Sequence, residues 1–259
     1  MLPFIYVFGL TVPMYWLAGL TGGGLAALLA HLRRGRYSVP GTDVTHIILF
    51  AAVGAVAGAK LLSLLVMLAN PAILPTWRGV YLELTSGGGV FYGGLIGAVL
   101  LAYAYIRKYK IDLTDAAALL TPSVTLFHGF GRIGCFMAGC CYGESVSWGI
   151  VYEHSVGSPN GVPLLPAQLI EAAFNFALTA LFCLWKPSAG KRKFVFPLYL
   201  LLYSAERFIL EFFRGDDIRG KFLVFTTSQW IALAVFCVCG AWFRKSTAEI
   251  RKKENLDNL

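Results

Sequence analysis

Seven long apolar runs, separated by short polar segments, organise this chain: about 10–31, 46–69, 90–106, 114–137, 167–185, 196–213 and 228–243. Each approaches the roughly 17–25 residues that an α-helix needs to cross the hydrocarbon core of a bilayer. A backbone in lipid must satisfy its own hydrogen bonds, so these runs predict helices. The first run is the least regular. Gly9 and Pro13 interrupt it, which leaves residues 2 to 10 as a candidate interfacial segment.

The polar segments between the runs carry an orientation. Arg33, Arg34 and Arg36, then Arg107, Lys108 and Lys110, then Lys186, Lys191, Arg192 and Lys193, and finally Arg244, Lys245, Arg251, Lys252 and Lys253 fall in alternate connections. The opposite connections hold only Arg78, Arg214, Arg219 and Lys221. Cytoplasmic loops retain lysine and arginine, so the N-terminus is expected outside and the C-terminus in the cytoplasm. Opposite termini require an odd number of spans, which agrees with seven.

Composition brings this reading down to one class. Hydrophobic residues make up 57% of the chain and charged residues 14%, with a mean hydropathy of +0.66. The chain is therefore expected to be an all-α, polytopic integral membrane protein. Its net charge of +8 follows from the basic cytoplasmic loops and their contact with anionic lipid, so it gives no argument for a nucleic-acid partner. No positive segment precedes the first run, so that run is expected to stay in the mature protein instead of being cleaved as a signal peptide. The loops are short and no long repeat is visible. One seven-helix membrane domain over residues 1–244 and a charged cytoplasmic tail over 245–259 are the economical division. The longest outer connection, about 144 to 165, reads as a turn-rich loop.

Ionisable residues inside the runs are the candidates for chemistry, because charge at membrane depth is costly. His128, Arg132 and Cys135 stand at i, i+4 and i+7, and Arg207, Glu211 and Arg214 repeat that spacing in the sixth run. If each helix is unbroken, each set shares one face. Glu211 can pair with Arg207 and leave an arginine for an anion. A phosphate suits such a pocket, because guanidinium forks match its oxygens and keep their charge. The blander readings are structural salt bridges and, for Arg214, snorkelling to headgroups. Lys60, in the second run, could pair with Glu171 or Glu206.

Glycines and cysteines add two further signals. SGGGVFYGGLIG, residues 86 to 97, reads either as a bent, ligand-facing entrance that turns Tyr92 towards a cavity, or as a helix-packing motif. Cys135, Cys140 and Cys141 cluster near the end of the fourth run, whereas Cys183, Cys237 and Cys239 are scattered among apolar residues. The cluster leaves four readings open: a disulfide facing the oxidising side, a thiol activated by Arg132 and His128, a zinc site, or packing. Adjacent cysteines without a CxxC pair make poor zinc spacing, so no metal is expected.

In order along the chain, GAK at 58–60, GGGVFYGGLIG at 87–97, GRIGCF at 131–136 leading to Gly143, PAQLIE at 166–171, ERFILEFFRGDD at 206–217 and SQW at 228–230 resemble the bacterial prolipoprotein diacylglyceryl transferase family. That resemblance implies a seven-helix body in the cytoplasmic (inner) membrane with a cavity towards the outer leaflet. It also implies transfer of the diacylglyceryl group of phosphatidylglycerol to the lipobox cysteine of a prolipoprotein, without a cofactor. By the same resemblance Arg132 is the signature arginine, Arg207 and Glu211 are the paired charges of the sixth span, and Gly143 closes the signature. Gly93, Gly94, Gln168, Lys60 and Arg214 fall within or beside motifs expected to contact substrate. The chain departs from the family where Tyr92 replaces a histidine, Cys135 an asparagine and Cys140 an acidic residue. The family's tyrosine early in the first span has no clear match around Val12 to Tyr15.

The primary expectation is a phosphatidylglycerol-using transferase. Arg132 and Arg207 hold phosphate, Glu211 orients Arg207, and His128 or Tyr92 moves the proton. The alternatives are a paralogue that transfers a lipid-derived group to another acceptor through Cys135, Cys140 or Cys141, and a non-enzymatic lipid or anion transporter. The absence of paired internal repeats weighs against the transporter.

Overall fold

Helices take up most of the chain in the computed structural model, which describes residues 2–7, 9–70, 76–85, 89–215 and 220–257. Every apolar run contains one. They are α1 (Met14–Arg33), α2 (Gly41–Ala69), α4 (Phe91–Lys108), α5 (Leu113–Ala138), α6 (Ala167–Leu184), α7 (Val195–Leu210) and α8 (Thr227–Asp257), with a short α3 (Trp77–Thr85) that the apolar pattern does not signal. Among the described residues, four helical stretches are long and apolar enough by themselves to cross a membrane: Met14–Arg36, Gly41–Ala69, Ala167–Leu184 and Thr227–Glu249.

The N-terminal boundary differs from the sequence expectation. Residues 10–13 do not begin the first helix; they form β2 (Leu10–Pro13), paired antiparallel with β1 (Phe4–Val7) from Phe4 opposite Pro13 to Val7 opposite Leu10. β-Branched and aromatic residues in both segments favour an extended backbone. Gly9, at φ 79°, supplies the left-handed residue that the tight turn needs. The connection of residues 144–165 contains two strands, β3 (Ser145–Val151) pairing antiparallel with β4 (Pro163–Leu164). A third small hairpin, β5 (Lys221–Phe222) with β6 (Phe225–Thr226), precedes α8. The all-α expectation therefore holds for the body, with three two-stranded ribbons among the described residues, one before α1 and two between helices. α8 continues through the basic tail to Asp257.

The chain divides into two compact units, residues 31–116 and residues 1–30 with 117–259. In the first unit α2 and α4 meet backbone to backbone. A Cβ on Gly54 would lie 2.2 Å from the Gly97 carbonyl oxygen, and one on Gly93 would lie 2.3 Å from that of Gly58. Small residues permit this approach. The GGLIG run packs closely against α2, as the helix-packing reading expects; Ser86, Gly87 and Gly88 lie outside the described residues. Tyr105 closes the same pair by donating its hydroxyl to Asp43 at 2.9 Å.

The second unit is built around α5. Gly129 admits the Phe176 ring of α6, where a Cβ would meet it at 2.5 Å, and Thr125 and Thr179 hydrogen-bond at 2.8 Å between the same helices. Gly22 of α1 leaves room for the Phe130 side chain in the same way. Just before α7, Phe194 packs against Trp242 and Phe243 of α8, with ring centroids 5.5 and 5.4 Å apart.

Candidate active site

Because α5 remains helical through Gly134, His128 and Arg132 do share a face, and that face looks at α6. Glu171 waits there, fully buried at 0% exposure. Arg132 Nε lies 2.9 Å from Glu171 Oε1, and His128 Nε2 is 3.5 Å from the same oxygen. Tyr203 of α7 donates its hydroxyl to it at 2.9 Å. Arg207, one turn further along α7, brings Nη1 to 3.9 Å from Glu171 Oε2. Two guanidiniums from different helices thus converge on one carboxylate. Burial of three ions in one place is tolerable only because they compensate one another.

The second arginine has its own counter-ion. Arg207 Nη2 hydrogen-bonds Glu211 Oε2, the pairing that the i, i+4 spacing predicts. The helical face does not extend to Arg214, however, because α7 ends at Leu210 and tightens into a 3-10 turn over Glu211–Phe213. Arg214 is extended, with Nε 4.0 Å from Glu211 Oε2. Thr226, from β6, donates to Glu211 Oε1 at 3.0 Å. Arg132, Arg207 and Arg214 thus gather around Glu171 and Glu211 in a poorly solvated setting. The two terminal nitrogens of Arg132 make no ion pair among the described residues.

Gly143 shows why a glycine closes the arginine motif. It forms an isolated antiparallel bridge with Arg214, and a Cβ there would come within 2.7 Å of Leu165 Cβ and 2.8 Å of the Phe213 carbonyl oxygen. Gln168 holds the preceding loop. Its amide donates to the Cys140 carbonyl at 2.7 Å and accepts from the buried Tyr152 hydroxyl at 3.1 Å, so both ends of this 1%-exposed side chain are engaged by protein.

The three clustered cysteines converge despite their unpromising spacing. Their sulfurs all lie within 4.8 Å of one another, and no disulfide joins them. In the loop beyond α5, hydrogen bonding with Cys135 pushes the Cys140 thiol up and pulls the Cys141 thiol down; Arg214 and Arg132 add to the lowering at Cys141. Tyr15 of α1 packs beside Gly134, where a Cβ would be 3.1 Å from its ring, and lies within electrostatic reach of Arg132 and all three thiols. A tyrosine of α1 therefore stands beside the cysteine cluster.

Tyr92, Gly93, Gly94 and Lys60 belong to the compact unit of residues 31–116. Tyr92 is 39% exposed with its ring edge-on to Phe91, and Lys60 donates to the Glu83 carbonyl at 2.9 Å. Glu171 is the residue that sequence reasoning undervalued, treated there only as a counter-ion for Lys60. Its signal was the acidic end of PAQLIE in an otherwise apolar span. Glu206, the other suggested partner, borders an apolar groove of about 680 Å³ between α6, α7 and β3, with Trp148, Ile170, Phe174, Leu202 and Ile209 among its walls. Neither Glu206 oxygen has a hydrogen-bond partner among the described residues.

A family model described as prolipoprotein diacylglyceryl transferase matches residues 3–244. Proteins named phosphatidylglycerol–prolipoprotein diacylglyceryl transferase are similar over most of their length. One from Clostridium tetani is 36% identical over 235 residues, covering 88% of this chain and 90% of the relative. A second from Clostridium perfringens is 33% identical over 240 residues, covering 88% and 89%. A third from Methylococcus capsulatus is 32% identical over 241 residues, covering 88% and 87%.

Proposed function

Since the chain belongs to the prolipoprotein diacylglyceryl transferase family and is a transferase of lipoprotein biosynthesis, we propose that it moves the diacylglyceryl group of phosphatidylglycerol onto the lipobox cysteine of prolipoproteins. The reaction takes place in the bacterial cytoplasmic membrane, with the seven apolar helices crossing it, the N-terminus outside and the site towards the outer leaflet. The observation that carries this reading is the convergence of Arg132 and Arg207 on Glu171.

In the proposed reaction the acceptor thiolate attacks the glyceryl carbon, the carbon–oxygen bond to phosphate breaks, and glycerol phosphate leaves with the bonding electrons. Charge develops on the departing phosphate oxygen. Positioned cations in a dry site stabilise such charge far better than they would in water. Arg132 presents its terminal nitrogens to the phosphodiester while Glu171 holds its Nε, and Arg207 and Arg214 stand behind with Glu211 as their shared counter-ion. His128, 3.5 Å from Glu171, receives the thiol proton through that carboxylate or directly. The apolar groove beside α6 and α7 has the volume and lining suited to an acyl chain, within the range of ligand clefts.

The test is mass spectrometry of a synthetic lipobox peptide incubated with the purified protein and phosphatidylglycerol, with the Clostridium tetani relative as control. A diacylglyceryl mass gain on the cysteine is expected. A peptide left unmodified while the control modifies it overturns the proposal.

A further inference from the structure

Three soft sulfur atoms gathered at one helix end, with no carboxylate or imidazole among them, form an arrangement that the reaction proposed above does not use. We propose that Cys135, Cys140 and Cys141 form a binding site for a thiophilic cation of the zinc(II) or copper(I) class, which clamps the loop of residues 139–143 onto the end of α5.

The geometry is close to what such an ion requires. Sulfurs about 2.3 Å from a common ion stand roughly 3.8–4.0 Å apart in tetrahedral or trigonal sites. The three here lie within 4.8 Å of one another, so closing on an ion takes less than about 1 Å of side-chain movement. All-sulfur donors select soft ions and reject magnesium and calcium, which take oxygen ligands.

The backbone holds the sulfurs in this arrangement without an ion. Gly139, at φ 76°, ends α5 in a left-handed turn, and the Cys140 amide donates back to the Cys135 carbonyl at 3.1 Å. Cys141 is itself left-handed at φ 65°, a backbone that costs a non-glycine residue energy and persists where surrounding contacts impose it. Those contacts are present: Gln168 grips the Cys140 carbonyl, and Ser155 donates its hydroxyl to the Gly139 carbonyl at 3.3 Å. Sequence spacing concealed the site because the turn, not the register of a helix, brings the third sulfur round.

Charge also fits. Binding zinc(II) breaks three sulfur–hydrogen bonds, forms three zinc–sulfur bonds, releases three protons to solvent and transfers no electrons. The resulting cluster carries one negative charge, and Arg132 and Arg214 both lie within electrostatic reach of Cys141 to offset it. Cys140 and Cys141 are half-buried, so an ion can enter from the loop side, whereas Cys135 is buried beneath them.

The experiment titrates cadmium(II), a spectroscopic probe for thiolates, into the purified, reduced full-length protein in detergent and follows the sulfur-to-metal absorbance. Saturation at about one equivalent is expected, with displacement by zinc(II) or copper(I) and none by magnesium(II). Cys135→Ser, Cys140→Ser and Cys141→Ser, each checked for native elution and helicity, should each weaken binding by about 100-fold or more, at least the loss seen for weaker outer-shell changes. Cys237→Ser, at an exposed position in α8, should leave it unchanged. Binding that survives all three substitutions, or no saturable band, overturns the proposal. So does a purified protein lighter by two hydrogens that binds no metal, which identifies the cluster as a disulfide. None of these readouts depends on transfer activity.

Discussion

Replacing Glu171 with glutamine removes one negative charge and almost no volume from a side chain with 0% exposure. Arg132 Nε stands 2.9 Å from one of its oxygens and Arg207 Nη1 3.9 Å from the other. With an effective dielectric of about 20, these separations correspond to gross attractions of about 6 and about 4 kcal/mol. Much of that is already cancelled by the cost of taking the ions out of water. The expected net loss on Glu171→Gln is therefore about 3–5 kcal/mol, the usual result of leaving a buried charge without its partner. Thermal unfolding in mixed micelles should register a drop on the order of 6–20 °C, at about 2–4 °C per kcal/mol for a chain of this size. Pairing it with Arg132→Met separates the ion pair from general damage, because removing both charges should cost less than the sum of the single losses by at least about 1 kcal/mol. A Glu171→Gln protein within about 1 kcal/mol of the parent, or strict additivity with Arg132→Met, would refute the view of Glu171 as the electrostatic centre of the site.

Arg132→Lys keeps a positive charge but loses the fork, so the initial rate of lipobox-peptide modification should fall by about 10²–10³-fold; a change within about threefold contradicts a phosphate role. Tyr203→Phe removes the hydroxyl that donates to Glu171 at 2.9 Å, and unfolding should show a loss of about 1.5–3 kcal/mol, the range for hydrogen bonds to charged groups. Gly54→Ala drives a methyl to 2.2 Å from the Gly97 carbonyl oxygen and should destabilise the protein by about 1–3 kcal/mol or more. Gly24→Ala, with nothing within 4 Å, should be neutral or stabilising by up to about 1 kcal/mol. Equal melting temperatures for these two variants would contradict the close α2–α4 contact. Gly143→Ala should lower the transfer rate, because the added Cβ meets Leu165 and Phe213 at 2.7–2.8 Å and forces the strand bridge to Arg214 apart.

Local patterns carried the helices and the near-neighbour charges. Apolar runs of bilayer length favour helices because a helix satisfies its own backbone hydrogen bonds within the run, and the spacing of Arg207 and Glu211 produces a pair because one helical turn separates them. The same rule overreached at Arg214, where three 3-10 residues end the helical face, and at residues 10–13, where a hairpin partner outweighs the apolar run. Glu171 looked incidental in sequence, since Arg132, His128, Tyr203 and Arg207 that gather round it lie as much as 43 residues away along the chain. Tyr15 was passed over for the same reason.

By itself the sequence determined the apolar character of this protein, the position of most of its helices and its family, and marked Arg132, Arg207 and Arg214 as candidates, because each depends on composition or on patterns within a few residues. Only the tertiary structure decided that two of those arginines meet at Glu171, that Gly143 is required by the backbone beside it, that the glycine run is a helix contact, and that three ill-spaced cysteines share one point. These depend on how distant segments pack, and neither hydropathy nor spacing encodes a distance between side chains that a turn or a neighbouring helix brings together.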